Sequence, residues 1–153
     1  MINKPKKKKQ LLVKLKAPYF IHKDVQGTNL TFCIAEYALP WKEISDAPLC
    51  DAVITKINKV KKAFPEAHIE FNFQRENPAF LFRVVGRTKR CPGDEHNQDI
   101  GDAVARAKAT SRACIVSKAI IKASIEGLEE ELKRNLRIFE EWHEKEKSIV
   151  RGV

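Results

Sequence analysis

The sequence predicts an α+β protein with an antiparallel sheet of three to four strands, two helices packed on it and a long amphipathic C-terminal helix. Three patterns in the 153 residues lead to this prediction. Apolar and polar residues alternate at 30–39 and at 80–89, with the period of a β-strand. From 49 to 64 apolar residues return every three or four positions, as in a helix. The same spacing returns from 125 to 149 and indicates a further helix.

Two alternating runs form the centre of the predicted sheet. The run at 30–39 places two sets of side chains on opposite faces: Leu30, Phe32 and Ile34 on one, and Thr31, Cys33, Ala35 and Tyr37 on the other. The run at 80–89 does the same with Phe80, Phe82 and Val84 on one face, and Leu81, Arg83, Val85, Arg87 and Lys89 on the other. One face of this strand is therefore predicted to be partly basic.

Shorter segments complete the predicted sheet. The run at 68–73 forms an antiparallel hairpin with the strand at 80–89. Its inward side chains are predicted to be Ile69, Phe71 and Phe73. Residues 11–16 form a short strand, and residues 17–29 form a connection with a turn at Gly27.

Prolines and short polar side chains mark the predicted helix ends. The first helix begins at Ser45 or Asp46 and ends before Pro65. The second begins with Asn97 or Asp99 as its N-cap, because both side chains can accept hydrogen bonds from free amides of a first turn.

Glycines suggest two further features of the helices. Gly101, in a first helical turn, lowers helix propensity by roughly 1 kcal/mol relative to alanine, so it is predicted to lie where helix and strand backbones come close. A break or bend is predicted at 124–127. The helix that follows carries a seam with the spacing of a coiled coil: Ile125, Leu128, Leu132, Asn135, Phe139, Trp142, Glu146 and Ile149. This seam predicts either a homodimer or packing on the protein's own body.

Positive charge is concentrated near the N-terminal end. The net charge is +9, and eight lysines fall in residues 1–23 without any acidic residue. The predicted division of the chain is a basic flexible arm at 1–10, an α+β domain at 11–124 and a C-terminal amphipathic helix at 125–150. Lysine and arginine neutralise phosphates of DNA or RNA. The candidate nucleic-acid-binding residues are Lys4, Lys6, Lys7, Lys8, Lys9, Lys14, Lys16, Arg87, Lys89, Arg90, Lys108, Arg112, Lys118 and Lys122.

The loop at 91–97 and the following helix resemble a pattern in small uncharacterised proteins of tailed phages and prophages. The residues that carry the resemblance are Cys91, Asp94, Asn97, Gly101, Ala105, Lys108 and Ala109. The sequence departs from that pattern at His96, where an apolar residue is usual, and at Lys108, where arginine is usual. The resemblance implies an origin in a mobile element and a shared unit of strand, loop and helix, and it implies no catalytic role.

Residues typical of enzymes are sparse, so the chain is predicted to be noncatalytic, with no cofactor and no metal site. Cys91 and His96 lack the second pair of ligands that a zinc site needs. The acids between Asp94 and Asp102 suit a helix start as well as a magnesium ion. The widely spaced cysteines predict reduced thiols. No apolar run approaches the length of a membrane span, which predicts a cytoplasmic protein without a membrane partner.

We therefore expect a phage-derived accessory protein that binds nucleic acid through sequence-independent phosphate contacts. DNA and RNA both remain open as ligands. The alternative is a protein-binding inhibitor or adaptor that acts on a host enzyme or defence complex through the C-terminal helix or a sheet edge. In either case the predicted location is the cytoplasm, which is the host cytoplasm if the protein is phage-encoded.

Overall fold

The computed structural model describes residues 11–73, 77–90 and 98–152. The strands are β1 Val13–Lys14, β2 Tyr19–Val25, β3 Thr28–Pro40, β4 Glu70–Asn72 and β5 Ala79–Arg90, and the helices are α1 Asp51–Ala63 and α2 Gln98–Arg151. Short 3-10 turns lie at Trp41–Glu43 and Pro65–Ala67. The predicted basic arm at 1–10 and the loop at 91–97 lie outside the described residues.

All described strands pair antiparallel in one sheet, which confirms the predicted α+β fold class. β3 and β5 form its centre, and they pair from Asn29 opposite Arg90 to Pro40 opposite Ala79. β1 and β2 follow one another along the other side of β3, and β4 lies beside β5 at the opposite edge. The sheet therefore has five strands where the sequence predicts three to four.

The additional strand is β2, so the predicted connection at 17–29 is wrong for most of its length. β2 is an edge strand with mostly exposed side chains, and Phe20 on its polar side and Lys23 on its apolar side interrupt the alternation. The predicted turn at Gly27 is confirmed. Gln26 and Gly27 have φ of 53° and 79°, as a tight hairpin requires, and the Gly27 amide donates to Asp24 Oδ1 at 3.1 Å.

The hydrophobic core lies between one face of the sheet and the two helices. The sheet contributes Cys33, Ala35, Tyr37, Leu39, Phe80, Phe82 and Val84, all buried. α1 contributes Val53, Ile57 and Val60, and α2 contributes Ala105, Ala109, Ala113, Val116 and Ile120. On β3 the buried set is thus the one with Cys33, Ala35 and Tyr37, and Leu30, Phe32 and Ile34 lie on the opposite face.

The first helix begins later than predicted, at Asp51 rather than at Ser45 or Asp46. The preceding segment forms a turn instead, in which the Ala47 amide donates to Ser45 Oγ at 3.0 Å. The indole nitrogen of Trp41 also donates to the Ala47 carbonyl at 2.7 Å. Pro48 disfavours helical geometry at Ala47, so the helix starts only beyond it. The predicted end before Pro65 is confirmed, because α1 ends at Ala63.

The β4–β5 hairpin is antiparallel as predicted, with Phe71 opposite Phe80 and their ring centroids 4.7 Å apart. Ile69 is buried, as predicted. Phe73 is 65% exposed, so its predicted inward orientation is wrong. The strand ends at Asn72, and beyond it the alternation no longer determines which way a side chain points.

A single helix replaces the two that the sequence predicts after residue 97. α2 continues through the expected break at 124–127, where the Ser124 hydroxyl donates to the Ile120 carbonyl at 2.8 Å within the helix. The predicted helix at 125–150 is therefore the second half of α2. Since α2 begins at Gln98, Asp99 lies in its first turn rather than at the N-cap, and Asn97 lies outside the described residues.

The close approach of helix and strand occurs at Gly86 and not at Gly101. A Cβ atom built on Gly101 would have its nearest neighbours at 3.6 Å, which is an ordinary contact. A Cβ atom on Gly86 of β5 would overlap the Ala105 carbonyl oxygen and the Ala109 amide nitrogen of α2. The strand glycine and the helix alanines together let the two backbones touch.

Candidate nucleic-acid interface

The sheet has a second face that neither helix covers, and we call it the open face. Directly paired residues share a face of an antiparallel sheet. Three rows cross β2, β3 and β5 on this face: Tyr19, Ile34 and Val85; Ile21, Phe32 and Arg87; Lys23, Leu30 and Lys89. The residues between them on β3, Thr31, Cys33 and Ala35, are buried under the helices. The two faces therefore differ in chemistry as well as in burial.

Apolar and aromatic side chains occupy the middle of the open face. Tyr19, Ile21 and Val85 are 41%, 36% and 45% exposed, and Phe32 and Ile34 between them are half-buried. Towards β1 the same face continues into a groove of about 550 Å³. Its apolar lining includes Val13, Leu15, Ala38, Pro40, Ala79 and Leu81. The open face thus presents two apolar areas, which the charged pair of Glu36 and Arg83 separates.

Basic side chains flank this apolar surface on both sides. On the β5 side these are Arg83, Arg87 and Lys89. On the β2 side, Lys23 Nζ lies 5.9 Å from the Phe32 ring centroid, and Lys16 Nζ lies 5.5 Å from the Tyr19 ring centroid. These are distances at which an ammonium is attracted to a ring. Aromatic rings and cations are therefore adjacent on one surface.

Few acids oppose these cations. Glu36 pairs with Arg83 across the β3–β5 ladder, and its carboxylate lies 3.3 Å from Lys16 Nζ. Glu70 stands opposite Leu81 at the far edge of the sheet. Among the described residues of these rows, positive charge is therefore in excess over the part of the open face that carries the aromatic rings.

The structure separates the predicted binding residues into groups. Arg87 and Lys89 lie on the β5 side of the open face, and Lys16 lies on its β2 side beside Glu36. Lys14 is exposed, but it pairs with Tyr37 and so belongs to the helix side of the sheet, as does Arg90, which pairs with Asn29. The predicted residues Lys4, Lys6, Lys7, Lys8 and Lys9 lie outside the described residues.

The predicted basic strip on the helix does not form one free surface. Lys108 Nζ donates to the Arg87 carbonyl at 3.0 Å, which ties α2 to β5. Arg112 forms an ion pair with Glu66, and its guanidinium carbon lies 4.9 Å from the Phe64 ring centroid. Lys118 and Lys122 are exposed on the outside of α2. Two of the four residues thus hold elements of the fold together.

Two open-face cations, Lys23 and Arg83, are absent from the predicted binding residues. Lys23 falls in the segment predicted as a connection, so its place beside Leu30 and Lys89 depends on the pairing of β2. Arg83 lies on the strand face that the alternation predicts to be basic. The period-2 pattern was therefore the signal that could have identified Arg83.

The start of α2 is tied to the sheet by a polar cluster. His22 Nε2 lies 2.8 Å from Asp102 Oδ1, and the Gln98 amide donates to the same oxygen at 2.8 Å. Gln98 also donates to the Thr31 hydroxyl at 3.2 Å. The hydrogen bond with His22, and to a smaller extent that with Gln98, holds the pKa of Asp102 below its ordinary value. Asp102 therefore stabilises the fold in its ionised form.

We expect Asp102→Asn to make the protein less sensitive to acid. Because the pKa of Asp102 is lower in the folded than in the unfolded chain, its contribution is complete above the unfolded pKa of about 3.9 and is lost as the pH falls through the folded pKa. The variant should show a smaller drop in Tm between about pH 6 and about pH 3. Asp99→Asn, in the same helical turn, is the control. An unchanged drop in the Asp102 variant would contradict this role.

The described parts of the chain show neither a metal centre nor a membrane helix. Across 11–73, 77–90 and 98–152, no three His, Cys, Asp or Glu side chains are grouped so that they could hold a metal ion. In the same ranges no helix is both long and apolar enough to span a membrane. Cys33, Cys50 and Cys114 are free thiols, and burial raises the pKa of Cys33.

Comparison with known proteins identified no relative: no protein-family model, no curated protein and no solved structure matches this chain.

Proposed function

We propose that the protein is a noncatalytic nucleic-acid-binding accessory protein and that its open face binds a single strand. One observation carries the proposal: exposed aromatic and aliphatic side chains lie between basic side chains on a sheet face that no described element covers. Proteins that bind single strands without sequence preference combine these two features, since cations contact phosphates and apolar rings contact bases.

The cations supply the phosphate contacts. Arg83, Arg87 and Lys89 follow one another along the open side of β5, and from Arg83 to Lys89 the strand runs about 20 Å at roughly 3.4 Å per residue. This length accommodates several nucleotides of an extended strand. Lys23 lies across β3 from Lys89, so phosphates on either side of the apolar surface would meet a cation. Such contacts release counterions and make affinity fall steeply with salt.

The rings supply the base contacts and favour a single strand over a duplex. Tyr19 and Phe32 each have a lysine ammonium over the ring. A base that stacks on either ring displaces the ammonium towards the neighbouring phosphate, so one movement creates both contacts. Bases in a duplex are already stacked and cannot reach a flat sheet. The predicted lysine arm at 1–10 would add phosphate contacts of the same kind, and the origin of the chain in a phage stays a prediction.

We expect the double variant Arg87→Glu, Lys89→Glu to bind a single strand at least about tenfold more weakly than the native chain, because two phosphate contacts become repulsive. A plot of log affinity against log salt concentration should also have a slope that is shallower by about 1 to 1.5, because each lost phosphate contact removes roughly 0.7 from the slope. The measurement is fluorescence anisotropy with mixed-sequence 20-nucleotide DNA and RNA strands at two salt concentrations. Comparison of the affinities for the DNA strand and the RNA strand shows which of the two nucleic acids the protein prefers.

The matched control is Lys118→Glu, Lys122→Glu, which changes the net charge equally on the exposed outside of α2. It should bind within about twofold of the native chain. Equal losses in both variants would indicate a general charge effect, and a larger loss in the control would assign binding to the helix. A duplex competitor that displaces the strand at equal concentration would contradict the preference for single strands. Circular dichroism establishes that both variants are folded.

A further inference from the structure

The second half of α2 projects beyond the sheet and α1 with an uncovered apolar side. Seven large apolar side chains there are between 53% and 73% exposed: Leu132, Leu136, Ile138, Phe139, Trp142, Ile149 and Val150. At 1.5 Å per residue, the segment 132–151 is about 30 Å long. Monomeric soluble proteins rarely leave a contiguous apolar surface of this size uncovered.

These side chains follow a seven-residue repeat whose positions are exposed from Leu132 onward. The seam positions alternate by steps of three and four: Ile125, Leu128, Leu132, Asn135, Phe139, Trp142, Glu146 and Ile149. The remaining exposed apolar residues, Leu136, Ile138 and Val150, lie next to this seam in the repeat. Gly127 faces Val53 of α1, whereas Ile125 and Leu132 are 48% and 67% exposed. Leu128 packs against the hydrophobic core, so the seam is accessible at Ile125 and then from Leu132 onward.

Charged residues in and beside the seam distinguish two ways of pairing two copies. In a parallel pair, equivalent seam residues meet, so Glu146 would face Glu146 of the second copy in the apolar interface. In an antiparallel pair centred on Arg137, Glu131 lies beside Lys145 of the second copy, and Glu129 lies beside His143. The parallel arrangement juxtaposes two Glu146 carboxylates, and the antiparallel one pairs Glu131 with the oppositely charged Lys145.

Most of the apolar residues also meet apolar residues in the antiparallel arrangement, whereas Phe139 falls opposite Asn135 and Leu128 opposite Glu146. Leu132 meets Trp142 of the second copy, and Ile125 meets Ile149, while Leu136 and Ile138 each meet their own equivalents. With roughly 150 to 200 Å² for a large apolar side chain, covering the exposed portions of the seven would bury about 700 Å² per copy. This is close to the roughly 800 Å² per partner of a specific interface.

We infer that two copies of this chain associate through an antiparallel pairing of α2 between residues 125 and 150. The two sheets then lie at opposite ends of one helix pair, and both open faces remain uncovered by it. The native chain should be a dimer whose mass falls towards that of a monomer on dilution.

The test is a charge swap between Glu131 and Lys145. Glu131→Lys and Lys145→Glu should each raise the dimer dissociation constant at least about fivefold, since each places like charges side by side in the antiparallel pair. The double variant restores opposite charges and should return to within about twofold of the native chain. Arg137→Glu, on the outside of the repeat, is the control and should leave dimerisation unchanged. Light scattering over a hundredfold dilution gives the mass of each variant.

Two results would overturn the inference. A native chain that stays a monomer at all concentrations excludes self-pairing and leaves the seam to a different partner. A double variant as weak as the single ones excludes the antiparallel register, because residues 131 and 145 do not meet in a parallel pair. All substitutions are at positions beyond the contact of α2 with α1 at Gly127, so circular dichroism of each variant should match that of the native chain.

Discussion

Replacing Gly86 with alanine should lower the free energy of unfolding by about 3 kcal/mol, the largest effect that we expect from any single methyl group in this protein. The added Cβ would overlap the Ala105 carbonyl oxygen and the Ala109 amide nitrogen. Both are backbone atoms inside a helix, so no side-chain rotation relieves the overlap. α2 would have to move away from β5, and the packing of Ala105, Ala109 and Ala113 on the sheet would loosen along the whole contact.

Chemical denaturation of the variant measures this cost. The control is Val85→Ala, one residue away on the open face, where the native side chain is 45% exposed and the loss should stay below about 1 kcal/mol. A Gly86→Ala protein that unfolds without a cooperative transition agrees with the prediction, because it shows that the contact is required for the fold. A Gly86→Ala protein as stable as the control would contradict the close approach.

The fold could be predicted from the sequence wherever one face of an element is buried. β5 shows this most clearly: its alternation identifies Phe80, Phe82 and Val84 as core and the opposite face as basic, and both agree with the structure. α1 shows it as well, because Val53, Ile57 and Val60 are buried in one stripe. In these segments burial and periodicity carry the same information.

The prediction fails where an element has no buried face of its own. β2 lies at the sheet edge, with apolar residues such as Ile21 on the open side and Phe20 as its half-buried residue on the other. Its pairing with β3, rather than its own pattern, makes it a strand. Part of the candidate interface could not be predicted for the same reason, because Lys23 lies on the open face only as a result of the pairing of β2 with β3. Arg87 and Lys89 were identifiable because they belong to a strand with a clear core face.

The glycines show a second limit of the sequence. A glycine within a helix or strand indicates either a place where the chain bends or a place where two backbones touch. The sequence alone does not distinguish these two roles. At Gly101 the sequence predicts a close contact that the structure places at Gly86. At Gly127 it predicts a break, and the structure shows an unbroken helix against α1. Only the position of the opposing element decides which role a glycine has.

Gly127→Ala separates these two roles by the sign of its effect on stability. If Gly127 served to interrupt a helix, alanine would stabilise the protein by as much as about 1 kcal/mol, because it has the higher helix propensity. The structure predicts the opposite, since an added Cβ would lie 2.5 Å from the Val53 Cα and 2.7 Å from the Val53 amide nitrogen. These atoms belong to the first turns of α1 and cannot rotate away. We therefore expect a net loss of about 2 kcal/mol.

Gly101→Ala is the matched control for this last prediction, because it makes the same change in α2 where the nearest atoms would be 3.6 Å away. It should keep or slightly raise the free energy of unfolding, since only helix propensity changes. Measured together by urea denaturation, the two variants should move the unfolding midpoint in opposite directions. If both raise it, the gap between α1 and α2 admits a methyl group. The packing of the two helices would then not require a glycine at position 127.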